Sequence, residues 1–188
     1  MVEKDDIQRK KLGTDKVILD ACCGGRCFWF NKEHPNTLYI DNRVAPKGHC
    51  PHREGHSVEP DIVIDNTAMT FEDKRFKLIV FDPPHMVCGK SGWQWAKYGA
   101  INKETWAEDL KKSFDECWRV LDDYGVLVFK WNETSVKRKD VLKAIGREPL
   151  FGHPTNSKCT THWFTFMKIP ESSLNLKTME AGNEKRNS

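Results

Sequence analysis

Short runs of β-branched and aromatic residues recur along the chain at Val17–Asp20, Thr37–Asp41, Asp61–Asp65, Leu78–Asp82, Gly125–Trp131 and His162–Lys168. Each is apolar and bounded by polar residues, Gly or Pro, which is the pattern of a buried strand. Helical spacing fills the gaps. Thr105-x-x-Glu108 reads as a capping box, and Trp106, Leu110, Phe114, Cys117 and Leu121 follow along one face, with Gly125 just beyond. Ser135 is expected to cap a second helix carrying Val136, Val141, Leu142 and Ile145 and stopping at Gly146. A short helix is expected around Arg26–Asn31. Alternating β and α units of this length predict an α/β, doubly wound fold with a mostly parallel central sheet and helices on both faces.

The 188 residues suit one ordinary domain. Residues 1–14 read as a charged lead-in, 15–169 as the domain, and 170–188 as a tail too poor in apolar side chains to order itself. No apolar run approaches the ~18–20 residues that span a bilayer, so no membrane partner is expected. Seven cysteines, two of them adjacent (Cys22 and Cys23), do not form a disulfide framework and point to a reducing cytoplasm. Net charge is only +3, but residues 130–168 carry eight Lys/Arg against three acids, while residues 1–129 carry 19 against 21. That basic C-terminal third is compatible with phosphate contacts, or with a solvated helix face.

Four of the six strand runs end on an aspartate: Asp20, Asp41, Asp65 and Asp82. Ligands of such sheets sit beyond the carboxyl ends of the strands, so these acids should crowd one rim. Val17-Ile-Leu-Asp20-Ala21-Cys22-Cys23-Gly24-Gly25 is a strand entering a glycine-bearing turn. The G-x-G-x-x-G fingerprint of dinucleotide sites is absent, and Asp20 would repel pyrophosphate. No Walker A loop is present either. A phosphate-free, cationic ligand fits this turn better.

In these residues the chain resembles the class I S-adenosylmethionine-dependent methyltransferases. Of their first motif, acidic-x-Gly-x-Gly-x-Gly, Asp20 and the middle glycine, Gly24, are present, with Cys22 and Arg26 at the other glycine positions. The turn and the following Arg26-Cys-Phe28-Trp29-Phe30 also look like small phage- or prophage-type methyltransferases. The resemblance implies a Rossmann-like methyltransferase fold and S-adenosylmethionine as cofactor. Its cofactor contacts would be Asp20, Ala21, Cys22 and Gly24 in the first turn, Asp41 and Asn42 at the ribose, Asp65 and Asn66 at the adenine, and Asp82.

Leu78-Ile-Val-Phe-Asp82-Pro83-Pro84-His85 resembles the Asp/Asn-Pro-Pro-aromatic motif of methyltransferases acting on adenine N6 or cytosine N4. An exocyclic amine has its lone pair delocalised into the ring and is a poor nucleophile. If the Asp82 carboxylate and the Pro83 carbonyl accept its two N–H groups, the nitrogen pyramidalises and aims its lone pair at the methyl. The prolines fix φ and hold those acceptors rigidly. By the same resemblance Asp82, Pro83, Pro84 and His85 are the catalytic set, with His85 where an aromatic stacks on the base. Other substrates are also served by Asp-Pro-Pro, so a small-molecule or protein acceptor stays open, as does a non-catalytic subunit that binds nucleic acid or a partner.

Val87 to Gly99, with Trp93, Trp95, Lys97 and Tyr98, reads as a glycine-bearing substrate lid, or as aromatics packed beneath the long helix. Lys130 and Trp131 end the fifth strand at the same rim and are expected to line the substrate pocket. The expected partner is DNA or RNA, with a protein partner possible for target selection, since the flanks are too short for a recognition domain. His49-Cys50-Pro51-His52 and His56 lack the paired spacing of a metal site, so no metal is expected, and a mobile cover over the cofactor is the better reading of that segment.

Overall fold

A computed structural model describes residues 15–88, 92–152 and 159–173. The lead-in 1–14, most of the expected tail (174–188) and residues 89–91 of the expected lid lie outside them. All six strand runs form strands: β1 (Ile18–Asp20), β2 (Thr37–Asp41), β3 (Ile62–Val63), β4 (Phe76–Phe81), β5 (Leu121–Asn132) and β6 (Thr161–Met167). They make one sheet in the order β3-β2-β1-β4-β5-β6. Neighbours pair in parallel except β5 and β6, which are antiparallel. The order reverses between β1 and β4, which opens a crevice at their carboxyl ends. The described helices are α1 (Gly92–Tyr98), α2 (Trp106–Val120) and α3 (Arg138–Ile145).

The core lies on one side of the sheet. Leu19, Leu38, Ile40, Ile79, Phe81, Leu127, Phe129, Trp131, Phe164 and Phe166 point to that side and meet Leu110, Phe114, Cys117 and Val120 of α2 and Val141 and Ile145 of α3. Burial of each large side chain there is worth ~1.5–3 kcal/mol. Along β5 the fully buried Leu127, Phe129 and Trp131 alternate with the partly exposed Val126, Val128 and Lys130, so the second face is only partly covered.

The doubly wound, mostly parallel sheet is as expected, and only the described crossovers of the second face depart from the helical pattern. The β1–β2 and β2–β3 connections run in the opposite direction along the sheet from β4–β5, so right-handed crossovers place them on the second face. Among the described residues these two connections contain no helix. The expected helix at Arg26–Asn31 is a series of turns. Gly24 and Arg26 adopt left-handed φ values of 47° and 53°, which a helix does not tolerate, and Arg26 reaches out to the Lys32 and Glu59 carbonyls at 2.7 and 2.8 Å. Side chains of this segment cover the sheet instead. The Arg26 guanidinium sits 3.8 Å from the Tyr39 ring centroid, Trp29 meets Tyr39 edge-on, and Phe28 meets Trp163.

Two caps also differ. Thr105 does not cap α2, because its hydroxyl donates to Asp109 at 2.6 Å. Ser135 accepts the Val87 N–H, and α3 starts three residues later, where Glu133 accepts the Arg138 N–H at 3.2 Å. Gly146 does end α3, in the left-handed region at φ 69°. Gly125 is no helix stop, since α2 passes directly into β5 at Leu121. The expected tail begins with order: 171–173 form a helical turn, and Ser173 pairs with the Tyr124 hydroxyl at 2.6 Å. No described helix is long and apolar enough to cross a membrane.

Candidate active site

A cavity of about 760 Å³ opens at the carboxyl ends of β1, β2 and β4. Its wall includes Ala21, Cys22 and Gly24 from the first turn, Asp41 and Asn42 after β2, Asp65 and Asn66 after β3, and Asp82, Pro83 and Pro84 after β4. Trp131 closes it from β5, and Trp95, Lys97 and Tyr98 from α1. Three of the four strand-end acids therefore face one space. The size is that of a small-molecule site.

Asp20, the fourth acid, lies beneath this wall, not on it. Its carboxylate is fully buried and accepts the Trp29 indole N–H at 2.7 Å and the Cys22 N–H at 3.3 Å. Burial pushes its carboxyl up to about 7, with the charges of Asp82 and Asp41 adding to the rise and the two hydrogen bonds opposing it. Asp41 ties the turn to β2, because Oδ2 accepts the Gly24 N–H at 2.9 Å and Oδ1 accepts the Arg43 N–H at 3.0 Å. Gly24 has no neighbour within 4 Å of where a Cβ would stand, so bare backbone faces the cavity.

Asp65 accepts the N–H and hydroxyl of Thr67, both at 2.8 Å. Asn66 is a clamp. Its amide donates to the Ala21 carbonyl at 3.1 Å and to Cys22 Sγ at 2.7 Å, and its oxygen accepts the Ser113 hydroxyl at 2.8 Å. The end of β3, the first turn and α2 are thereby locked together. Ser113 was missed from sequence. The signal was there: it is a lone hydroxyl within the apolar stripe of Leu110, Phe114 and Cys117.

Asp82 faces Lys130, whose Nζ lies 2.6 Å from Oδ2. Burial raises the Asp82 carboxyl, and Lys130 opposes that rise. Lys130, expected to line the pocket, points instead at this carboxylate and is not on the cavity wall. His85 is off the wall too, half-buried between Tyr98 (6.2 Å between ring centroids) and Trp131 (6.1 Å), with burial lowering its pKa.

The expected lid loop is in part a helix, α1. It neither packs beneath α2 nor buries any residue. Trp93 and Trp95 are each 40% exposed, and only the second lines the cavity. The segment between β2 and β3 folds against α1, with His49 Nε2 3.1 Å from the Ala96 carbonyl and the Cys50 thiol donating to the Trp93 carbonyl at 3.5 Å. His56 reaches the cavity wall beside Gly25, where a Cβ would stand 2.7 Å from its Nε2. Arg43, Lys103, Trp106, Asp109 and Leu110 are among the other lining residues that were not picked out as site residues from sequence.

Comparison with known proteins agrees on the fold. The PH0226 protein from Pyrococcus horikoshii OT3 superposes with a TM-score of 0.52 at 15% identity, over 88% of this chain and 87% of that one. The fold is Rossmann-like. A geranyl diphosphate methyltransferase in complex with GPP and sinefungin matches at a TM-score of 0.48 and 11% identity, over 89% of this chain and 78% of that one. The antibiotic-resistance methyltransferase Kmr matches at 0.45 and 12%, over 89% and 93%. No family model matches, and no curated protein matches.

Proposed function

We propose that this protein is an S-adenosylmethionine-dependent methyltransferase acting on an exocyclic amino group of a nucleobase, adenine N6 or cytosine N4, in DNA or RNA. The observation that carries the reading is the rigid Asp82-Pro83-Pro84 corner opening onto the same cavity as the acidic ends of β2 and β3.

The residues present fit the cofactor. Asp41, Asp65 and Asp82 bring carboxylates to the wall, with Arg43 Nε 3.4 Å from Asp41 and the Lys130 ammonium against Asp82. Such a wall suits a sulfonium and an α-ammonium. Asp41 stands at the end of β2, where a carboxylate accepts ribose hydroxyls, and it keeps acceptor capacity beyond its contacts with the Gly24 N–H and with the N–H and side chain of Arg43. The open backbone at Gly24 and the small Ala21 side chain allow close approach. Asn66 has its amide fully engaged, so Asp65 and the backbone beside it fall to the adenine. When bound, the cofactor supplies an electrophilic methyl.

On the acceptor side, the Asp82 carboxylate takes one N–H and the Pro83 carbonyl the other, which restores the nitrogen lone pair. Asp82 is also placed to receive the proton released after transfer, before it passes to water. The protein's contribution is positioning and preorganised charge. With His85 off the wall and Trp131 buried, Trp95 and Tyr98 offer the stacking faces, and Lys97 and Lys103 lie at the same opening for phosphates. A target base in a duplex would have to be flipped out.

His85 also supports a second reading, in which the acceptor is a small molecule or a protein side chain and no stacked base is needed. Transfer of labelled methyl to single-stranded DNA, RNA and a protein extract separates the two. The nucleobase reading expects label in nucleic acid, and label in protein alone overturns it. Asp82→Ala is expected to abolish turnover while calorimetry still detects cofactor binding. Failure of the wild-type protein to bind S-adenosylmethionine would sink the whole reading.

A further inference from the structure

Strands β4 and β5 run parallel with Phe81 beside Phe129, so the next residues, Asp82 and Lys130, emerge side by side on the thinly covered face. Their side chains are 17% and 23% exposed. Phe28 and Trp163 meet edge-on and flank the ammonium, 5.6 and 5.7 Å from it to their ring centroids. Asp82 and Phe28 line the cavity, whereas Lys130 and Trp163 do not. The lysine therefore holds Asp82 Oδ2 without forming part of the cavity wall.

We infer that Lys130 is a positioning residue for Asp82, gripping Oδ2 from outside the cavity and leaving the other carboxylate oxygen to accept the acceptor's amino hydrogen. This rests on the methyltransferase reading above. A carboxylate in a low-dielectric site is costly unless paired, and the cation offsets that cost without occupying substrate space. The aromatic pair flanks the ammonium and adds cation–π attraction.

The other groups facing Asp82 do not substitute for Lys130. Asp20 and the Cys22 thiol approach from β1 and its turn, and neither can bring a positive charge. His85, in the loop after β4, attracts the carboxylate only when charged, and its own burial disfavours that form.

The test uses full-length protein without ligand, carrying carboxyl-¹³C aspartate. Asp82→Asn and Asp20→Asn spectra identify the signals of these two residues. In Lys130→Met the Asp82 carboxyl is expected to titrate at higher pH than in wild type, and Lys130→Arg should bring it back toward the wild-type position. With cofactor and acceptor, the acidic limb of the kcat profile should move the same way. In Lys130→Met, kcat near neutral pH should fall roughly tenfold, the scale of losing one charge-assisted contact. Cofactor affinity should stay within about threefold. An Asp82 titration unchanged in Lys130→Met overturns the inference. So does a titration that moves while kcat and its pH profile stay put. No transfer by wild type to any acceptor overturns the methyltransferase reading instead, and the ligand-free titration still decides whether Lys130 sets the charge of Asp82.

Discussion

Asp20 makes stability depend on pH in a direction opposite to that of an ordinary salt-bridged aspartate. Its carboxyl ionises at about 7 in the folded chain, against 3.8 when unfolded. Between those values the native state holds a proton that the unfolded state releases, so stability falls as pH rises and levels off above pH 7. A displacement of that size corresponds to on the order of 4 kcal/mol in total, of which about 3 kcal/mol falls between pH 5 and 8.5.

Asp20→Asn replaces the buried charge with a neutral side chain that still accepts the Trp29 indole N–H. It sacrifices the longer contact from the Cys22 N–H, at a cost of about 1 kcal/mol. The variant should therefore be slightly less stable than wild type at pH 5 and clearly more stable at pH 8.5. Urea unfolding of both proteins across that range measures the difference, and titrations common to the two cancel. A wild-type-minus-variant gap that stays flat from pH 5 to 8.5 would refute the argument, since it would mean that Asp20 ionises in the folded chain as it does in the unfolded one.

Two further substitutions probe the walls. Asn66→Ala releases the Ala21 carbonyl, Cys22 Sγ and the Ser113 hydroxyl together, and should destabilise the protein by ~1–3 kcal/mol and weaken cofactor binding; unchanged melting and calorimetric Kd would show that the clamp is idle. Gly25→Ala places a Cβ 2.7 Å from His56 Nε2 and 3.2 Å from the Ser57 carbonyl, so the segment after β2 must shift at a cost of ~1–3 kcal/mol. Denaturant midpoints check it, and a neutral effect would mean that this segment moves freely.

The strands and their acidic ends were legible in the sequence because a buried parallel strand is a contiguous apolar run, and its end is marked where polarity returns. All six runs from Val17–Asp20 to His162–Lys168 correspond to observed strands. Local signals read less well wherever a tertiary partner competed. The Thr105 hydroxyl chose Asp109 over the helix end, and Glu133 rather than Ser135 met the first amide of α3. The expected helix after Gly25 failed because Arg26, Phe28 and Trp29 are fastened individually to Asp61, Trp163 and Asp20, contacts no local pattern reveals. At the site, the row of acids was visible but its division of labour was not. Which carboxylate faces the cavity, which lies under an indole and which meets a lysine depends on side-chain direction across strands far apart in sequence.

Replacing two helical crossovers by turns leaves β3 only two residues long and makes its side of the sheet reliant on a few side-chain fastenings: Arg26 to Asp61, Asp41 to Gly24, and Asn66 to the first turn. Such a region opens more readily than the helix-backed side built on Phe114 and Phe129. A ligand held there adds its own binding energy to the weakest part of the molecule, so its concentration governs how firmly that flank closes. Saturation should slow amide exchange most in residues 20–66 and least along the buried stripe of α2.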